Sequence, residues 1–300
     1  MSPVASNSLL SPTELRLLEG MRLTPQRVFS GRVSGERISR KKGTSIEFAD
    51  YRDYMAGDDL RHLDWNILAR LDRPSIRTYQ DEDDLAVYIA LDVSRSMDFG
   101  EPTKFDYAVR LTAALGYIAL IGQDALYPIA LGGAAQSPGR ALRGRGNFRL
   151  LMEWLNSLQP EGERSLTASL TLLSKSRSMR PGLFLCFTDG LSPQAGDALR
   201  AIASRGHEVA LIQILSATEL DPDIEGDIRL LDAENGEPVE ITANEQTLRA
   251  YKENLANHCR LLKETSLRVG GRYLQCVAGQ SLSDLALREI QRIGLAKLRY

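Results

Sequence analysis

The spacing of apolar residues along the chain changes period repeatedly, and each change marks an element. Residues 85–91, Leu85-Ala86-Val87-Tyr88-Ile89-Ala90-Leu91, form an unbroken apolar, β-prone run. A strand without polar alternation is one buried on both faces, as in a parallel sheet covered by helices. Residues 183–187 and 207–215 repeat that pattern. Between and around them the period shifts to that of a helix. Phe105, Ala108, Val109, Thr112, Leu115, Gly116 and Ala119 recur at helical spacing, with Pro102 as the first helical residue and an end near Ile121. Residues 148–158, 166–176 and 194–205 read as further helices. Residues 124–131 read as a strand in which Pro128 signals an edge or an irregularity, and residues 140–143 as a short antiparallel return. Strand and helix alternating at this rhythm predict α/β architecture: a doubly wound, mostly parallel sheet with helices on both faces. Right-handed crossovers place those helices.

The ends of the chain follow other rules. Ser11 and Glu14 have the spacing of a capping box for a helix over residues 12–23. Near the far end, residues 227–232 and 238–242 flank Asn235-Gly236, a strong hairpin signal. Thr242-Ala243-Asn244-Glu245 has capping-box spacing ahead of a long helix carrying Leu248, Tyr251, Leu255, Cys259 and Leu262, which Gly270-Gly271 closes. A last strand over residues 273–277 and a last helix over 283–298 complete the pattern.

Residues 1–80 form a charge-rich accessory segment, and residues 81–300 the α/β domain. Residues 32–43 are basic and punctuated by glycine, as in a solvated loop or a docking surface for an acidic partner. Residues 47–70 interleave acids, arginines and aromatics without a period. The expectation there is a structural charge network. Arg52, Arg61 and Arg70 pair with Asp58, Asp59 and Asp64, while Trp65 and the tyrosines pack beneath. Asp58, Asp59 and Asp64 as a second metal or catalytic site is the weaker reading.

Composition narrows the functional classes. With 43% hydrophobic and 25% charged residues and a formal net charge of -2, the chain has the balance of a soluble globular protein. It lacks the basic excess of a dedicated nucleic-acid binder. Three scattered cysteines, Cys186, Cys259 and Cys276, fit no zinc motif and imply a reduced, cytoplasmic setting. The first residues lack a signal-peptide pattern, and no apolar run is long enough for an integral membrane segment.

The candidate chemistry sits where strands stop. Asp92-Val93-Ser94-Arg95-Ser96 follows the first buried strand, and Thr188-Asp189-Gly190 ends the second. In open α/β sheets ligands bind outside the carboxyl ends of such strands. Carboxylate and hydroxyl oxygens converging there suit a hard divalent cation, although strand-terminal Asp and Ser also serve simply as helix caps. No general base accompanies them. His62, His207 and His258 lie outside the motif and are read as structural.

Asp92, Ser94, Ser96, a downstream Thr167 and Asp189 resemble the metal-ion-dependent adhesion site of von Willebrand factor A-type (vWA) domains. Glu47-Phe48, Asp50-Tyr51-Arg52, Gly57-Asp58-Asp59, Arg61, Asp64-Trp65 and Ala69-Arg70, running into that motif, resemble the bacterial domain-of-unknown-function fifty-eight family. That family is similar to vWA domains and is often encoded beside MoxR-type AAA+ ATPases. The resemblance implies metal ligands at Asp92, Ser94, Ser96, Thr167 and Asp189, with Ser165 a rival to Thr167. It implies Mg²⁺, or Mn²⁺ or Ca²⁺ in its place, and an open position for a partner's carboxylate, toward which Arg95 projects. The expected function is non-enzymatic protein binding, with a MoxR-type ATPase or its client as the partner and no nucleic acid. The rival expectations are a metal-dependent phosphatase or nuclease and an interaction protein with an empty site.

Overall fold

The computed structural model describes residues 9–27, 47–55, 63–80, 85–132, 140–161, 165–176 and 178–299. Expectations that fall on residues 32–43, on Asp58, Asp59, Arg61 and His62, or on residues 81–84 lie outside these. The chain divides into two compact units, Met1–Val28 with Leu85–Tyr300, and Phe29–Asp84.

The larger unit starts with α1 (Pro12–Glu19) and β1 (Met21–Leu23). Ser11 and Glu14 form the expected capping box. The helix stops four residues short of expectation because Met21–Leu23 pairs antiparallel with a strand at the other end of the chain. The smaller unit holds β2 (Glu47–Asp53), α2 (Trp65–Leu71) and β3 (Ser75–Gln80), with β2 and β3 antiparallel. A register shift between Phe48 and Asp50 breaks the alternation of β2, and seven residues are too few for α2 to show a period. Hence the aperiodic look of residues 47–70. Asp64 acts as the N-cap of α2, its Oδ1 accepting from the Asn66 and Ile67 amides at 2.9 and 3.2 Å. Trp65, expected beneath the charges, instead stands 63% exposed.

The larger unit continues with β4 (Ala86–Asp92), α3 (Lys104–Ile121), β5 (Ala125–Leu131), α4 (Phe148–Asn156), α5 (Leu166–Ser174), β6 (Leu183–Thr188), α6 (Ala195–Ala203) and β7 (Glu208–Leu215). It closes with α7 (Ala217–Leu220), β8 (Gly226–Leu231), β9 (Pro238–Ala243), α8 (Glu245–Arg268), β10 (Arg272–Val277), α9 (Leu282–Asp284) and β11 (Ala296–Leu298). Thr103 rather than Pro102 opens α3, and Asn244 rather than Thr242 caps α8. The expected last helix runs from α9 into a π-helical turn over Leu285–Ile290. Gly294, at φ 69°, then redirects the chain into β11.

Five strands in the order β10-β7-β6-β4-β5 form a sheet in which every neighbouring pair is parallel. Alternate residues of each strand serve opposite faces. Val87, Ile89 and Leu91 of β4 pack into a core with Leu111, Leu115 and Ile118 of α3 and Leu151 of α4. Ala86, Tyr88 and Ala90 pack into a second core with Leu170 of α5, Leu199 and Ile202 of α6, and Leu262 of α8. A strand serving two cores has no polar position to spare, which is why β4 reads as a solid apolar run. Pro128 lies in β5, an edge strand, where a missing N–H is tolerated. Leu142 makes the expected antiparallel bridge, to Leu126.

This topology creates a crevice. The connection after β4 leads to α3 on one face, and that after β6 leads to α6 on the other. Adjacent strands whose exits diverge leave a gap at their carboxyl ends, the switch point where α/β folds bind ligands.

At the amino end of β7 a buried ion pair ties the strands to the start of the chain. Arg272 Nη1 lies 2.7 Å from Glu208 Oε1, with side chains 3% and 0% exposed. Glu208 Oε2 accepts from the Gln26 and Arg27 amides, and Arg272 Nη2 donates to the Thr24 carbonyl. Breaking a buried pair from one side costs about 3–5 kcal/mol, because the remaining charge is stranded. Arg272→Met is therefore expected to lower stability by that amount in urea unfolding. Adding Glu208→Gln should recover part of the loss. Additive losses in the double variant would contradict a coupled pair.

Candidate functional site

Asp92 is the last residue of β4 and Asp189 follows the last residue of the adjacent β6, so both carboxylates emerge into the crevice. Both are buried, at 1% and 4% exposure. Asp92 Oδ1 accepts from the Ser94 amide at 3.0 Å, and Oδ2 accepts from the Thr188 hydroxyl at 2.6 Å. The Oγ atoms of Ser94 and Ser96 lie 3.1 Å apart. Asp92, Ser94 and Ser96 line an open cavity of about 800 Å³ together with Arg95, Ser165 and Asp189. Of the five residues expected as ligands, four therefore face one cavity. Thr167, the second residue of α5, places its hydroxyl 3.2 Å from Ser192 Oγ, while Ser165 lies on the cavity wall and caps α5 through the Ala168 amide.

The buried cation of the site, Lys104, was not among the residues expected. Lys104, the first residue of α3, is 1% exposed and its Nζ donates to Asp189 Oδ2 at 2.8 Å and to Glu219 Oε1 at 2.6 Å. Burial works against the ammonium, but the two carboxylates outweigh it and hold its pKa above the usual lysine value. A signal was present. Lys104, Ala108, Leu111 and Leu115 share the buried stripe of α3, and a lysine in a first helical turn opposes the helix dipole. Both facts call for an anionic partner. Glu219 was legible only as the fourth residue of a capping box with Ser216, which it forms at the start of α7.

Helix α8 and strand β7 each hold the Asp189 loop through one side chain. His258 Nε2 lies 2.8 Å from the Gly190 carbonyl, and Gln213 Nε2 donates to the Asp189 carbonyl. His207, buried at the other end of the sheet, stands edge-on to Tyr88 with centroids 5.2 Å apart. Burial pushes its pKa down to about 4. Both histidines are structural parts.

The cluster is short of positive charge. Asp92, Asp189 and Glu219 set three carboxylates against the one ammonium of Lys104, a formal charge of −2. Asp92 carries the consequence. Burial first, and then the charge of Asp189, push its pKa up to about 6, against the hydrogen bonds from Thr188 and Ser94. Among the described residues no three His, Cys, Asp or Glu side chains group as a metal site. Any cation here thus depends on serine or threonine hydroxyls beside the two aspartates.

The fold and cavity define a class: a parallel α/β domain with a paired-aspartate site at its topological switch point. The chain matches the family described as "Protein of unknown function DUF58" over residues 50–260, and it belongs to that family. An uncharacterized protein of Mycobacterium tuberculosis is 32% identical over 228 residues, covering 74% of this chain and 70% of the relative. An uncharacterized protein of Mycobacterium bovis matches to the same extent. Among solved structures, BatB from Bacteroides thetaiotaomicron aligns at 16% identity over 70% of this chain and 98% of its own, with a TM-score of 0.41. The SpRpn10 VWA domain aligns at 12% identity over 67% and 93%, with a TM-score of 0.35.

The raised pKa of Asp92 makes a pH prediction. Between its ordinary value of 3.8 and about 6 the folded chain keeps a proton that the unfolded chain has released, so this group's contribution to stability falls as pH rises through that window. In EDTA, Asp92→Asn should be more stable than the parent above pH 6, by on the order of 3 kcal/mol. The gap should close toward pH 4. Urea midpoints that differ equally at pH 4 and pH 7 would contradict this origin.

Proposed function

We propose that the chain is a non-enzymatic protein-binding module whose site at Asp92, Ser94, Ser96 and Asp189 holds Mg²⁺, or Mn²⁺ or Ca²⁺ in its place, and engages a partner's carboxylate. The charge imbalance carries this reading: the Asp92, Asp189, Glu219 and Lys104 groups sum to a formal charge of −2, which one divalent cation offsets. The hydroxyl spacing supports it, since 3.1 Å is close to the separation of about 3 Å between neighbouring oxygens of an octahedral Mg²⁺ shell. A hydroxyl from the start of α5, Thr167 or Ser165, completes the protein's share. A bound ion supplies an electrophilic position for an acidic side chain. The protein's own residues do the rest. Lys104 orients Asp189 through their 2.8 Å ion pair, Ser94 and Thr188 fix the Asp92 carboxylate, and Arg95, exposed on the cavity wall, meets an arriving anion.

The resemblance to proteins encoded beside MoxR-type AAA+ ATPases brings such an ATPase, or its client, into the reading as the partner in protein maturation or complex assembly. Three free, buried thiols suit a reducing compartment, so the cytoplasm is the proposed location. No described helix is long and apolar enough to cross a membrane.

Immobilised chain should retain a MoxR-type ATPase from the same organism in Mg²⁺ and release it in EDTA. Ser94→Ala and Asp189→Ala should each reduce retention at least tenfold. Equal retention in EDTA and in both variants would sink the metal-dependent reading. Phosphoester turnover abolished by Asp92→Ala would replace it with a hydrolase.

A further inference from the structure

The cavity already contains a carboxylate from the chain's own surface. Strands β8 and β9 form an antiparallel hairpin, paired from Gly226 with Ala243 to Leu231 with Pro238. The hairpin contributes little to either core: Leu230, Leu231 and Val239 stay 46%, 64% and 56% exposed. Its tip is ordered by its own hydrogen bonds. Asp232 Oδ1 accepts from the Glu234 and Asn235 amides at 2.8 and 3.1 Å, Asn235 Oδ1 accepts from the Glu237 amide, and Gly236 turns the chain at φ 73°. Residues 232–235 of that tip line the same cavity as Asp92 and Asp189. Glu234 Oε1 accepts a hydrogen bond from the Ser96 amide at 2.9 Å. The contact bridges 138 residues of sequence and lands inside the Asp-x-Ser-x-Ser motif.

We propose that Glu234 is an internal stand-in for the external ligand: the site takes an acidic side chain presented at the tip of a tight turn, and that ligand binds by displacing Glu234. The proposal rests on the carboxylate-binding reading above and adds to it the shape of the ligand and a built-in competitor. Three observations favour displacement over a fixed structural role. The acceptor bonds a backbone amide that any incoming carboxylate can use equally well. The hairpin is secured by few apolar contacts, which places it among the segments that open at low free-energy cost. The glutamate also sits beside a cluster already short of positive charge, so without a cation it is held weakly. A tethered competitor acts at about millimolar effective concentration and lowers the apparent affinity for an external acid roughly tenfold when the site's intrinsic constant is about 0.1 mM.

The test uses a fluorescent cyclic peptide with the sequence of residues 226–243, titrated in Mg²⁺ into the full chain and into its Glu234→Ala variant. The substitution is at an exposed tip outside both cores. The variant should bind the peptide at least tenfold more tightly than the parent, and a Glu234→Gln peptide should bind neither. Hydrogen exchange at the Ser96 amide should be faster in the Glu234→Ala chain than in the parent and slow again when peptide is added. Equal peptide affinity for the two chains, or undiminished binding of the Glu234→Gln peptide, would overturn the inference. Repeating the titration in EDTA separates it from the metal reading. Discrimination that persists without Mg²⁺ upholds Glu234 as competitor while removing the metal. Loss of discrimination alongside Mg²⁺-dependent ATPase retention removes only the competitor.

Discussion

The ammonium of Lys104 is the fixed point of this site. It joins the first residue of α3, the loop leaving β6 and the short α7 that follows β7, so it gathers the exits of three strands into one buried cluster. An ammonium buried so deeply is tolerable only because two carboxylates meet it at hydrogen-bonding distance. Removing either would strand charge at a cost of several kcal/mol. Asp92, one strand over, receives no such compensation. Its negative charge is raised in cost by that of Asp189 and, among the described residues, is relieved by hydrogen bonds from Thr188 and Ser94.

The opposite end of the sheet provides an internal comparison. There Glu208 and Arg272 are as deeply buried, but they balance one to one, and backbone groups of the chain's start bond Glu208 Oε2 and Arg272 Nη2. The fold can therefore bury ions neutrally. At the carboxyl end it sets two buried acids and the half-buried Glu219 around one buried base, and it does so in an open cavity at the topological switch point. A balanced pair is what a structural tie requires. The proposed cation and acid-binding roles rest on that imbalance, in an accessible crevice with the carboxylate of Glu234 at its edge.

The parallel sheet was legible because each central strand serves two cores, leaving long apolar runs that nothing else explains. Asp92 and Asp189 were legible because they interrupt those runs at their ends. The edge position of β5 was announced by Pro128, and the hairpin by Asn235-Gly236. Other parts were hidden for identifiable reasons. The pairing of β1 with β11 joins the two ends of the chain and overrides helical periodicity on both sides, a long-range contact that no local window contains. A register shift concealed β2, and the brevity of α2 concealed it. Lys104 and Glu219 are 115 residues apart, and neither looks unusual until the strand order is known. Glu234 was invisible for the same reason. It belongs to a surface turn whose sequence speaks only of the turn.

Manganese binding followed by electron paramagnetic resonance tests the central claim most directly, because it reads the ion itself and needs no partner. The account predicts one Mn²⁺ per chain, displaced by Mg²⁺ and lost in Asp92→Asn. It also predicts that binding at pH 5 releases about one proton, since Asp92 is then protonated in the metal-free chain, and that the release vanishes by pH 8. Binding that survives Asp92→Asn unchanged, or no binding at millimolar Mn²⁺, would contradict it.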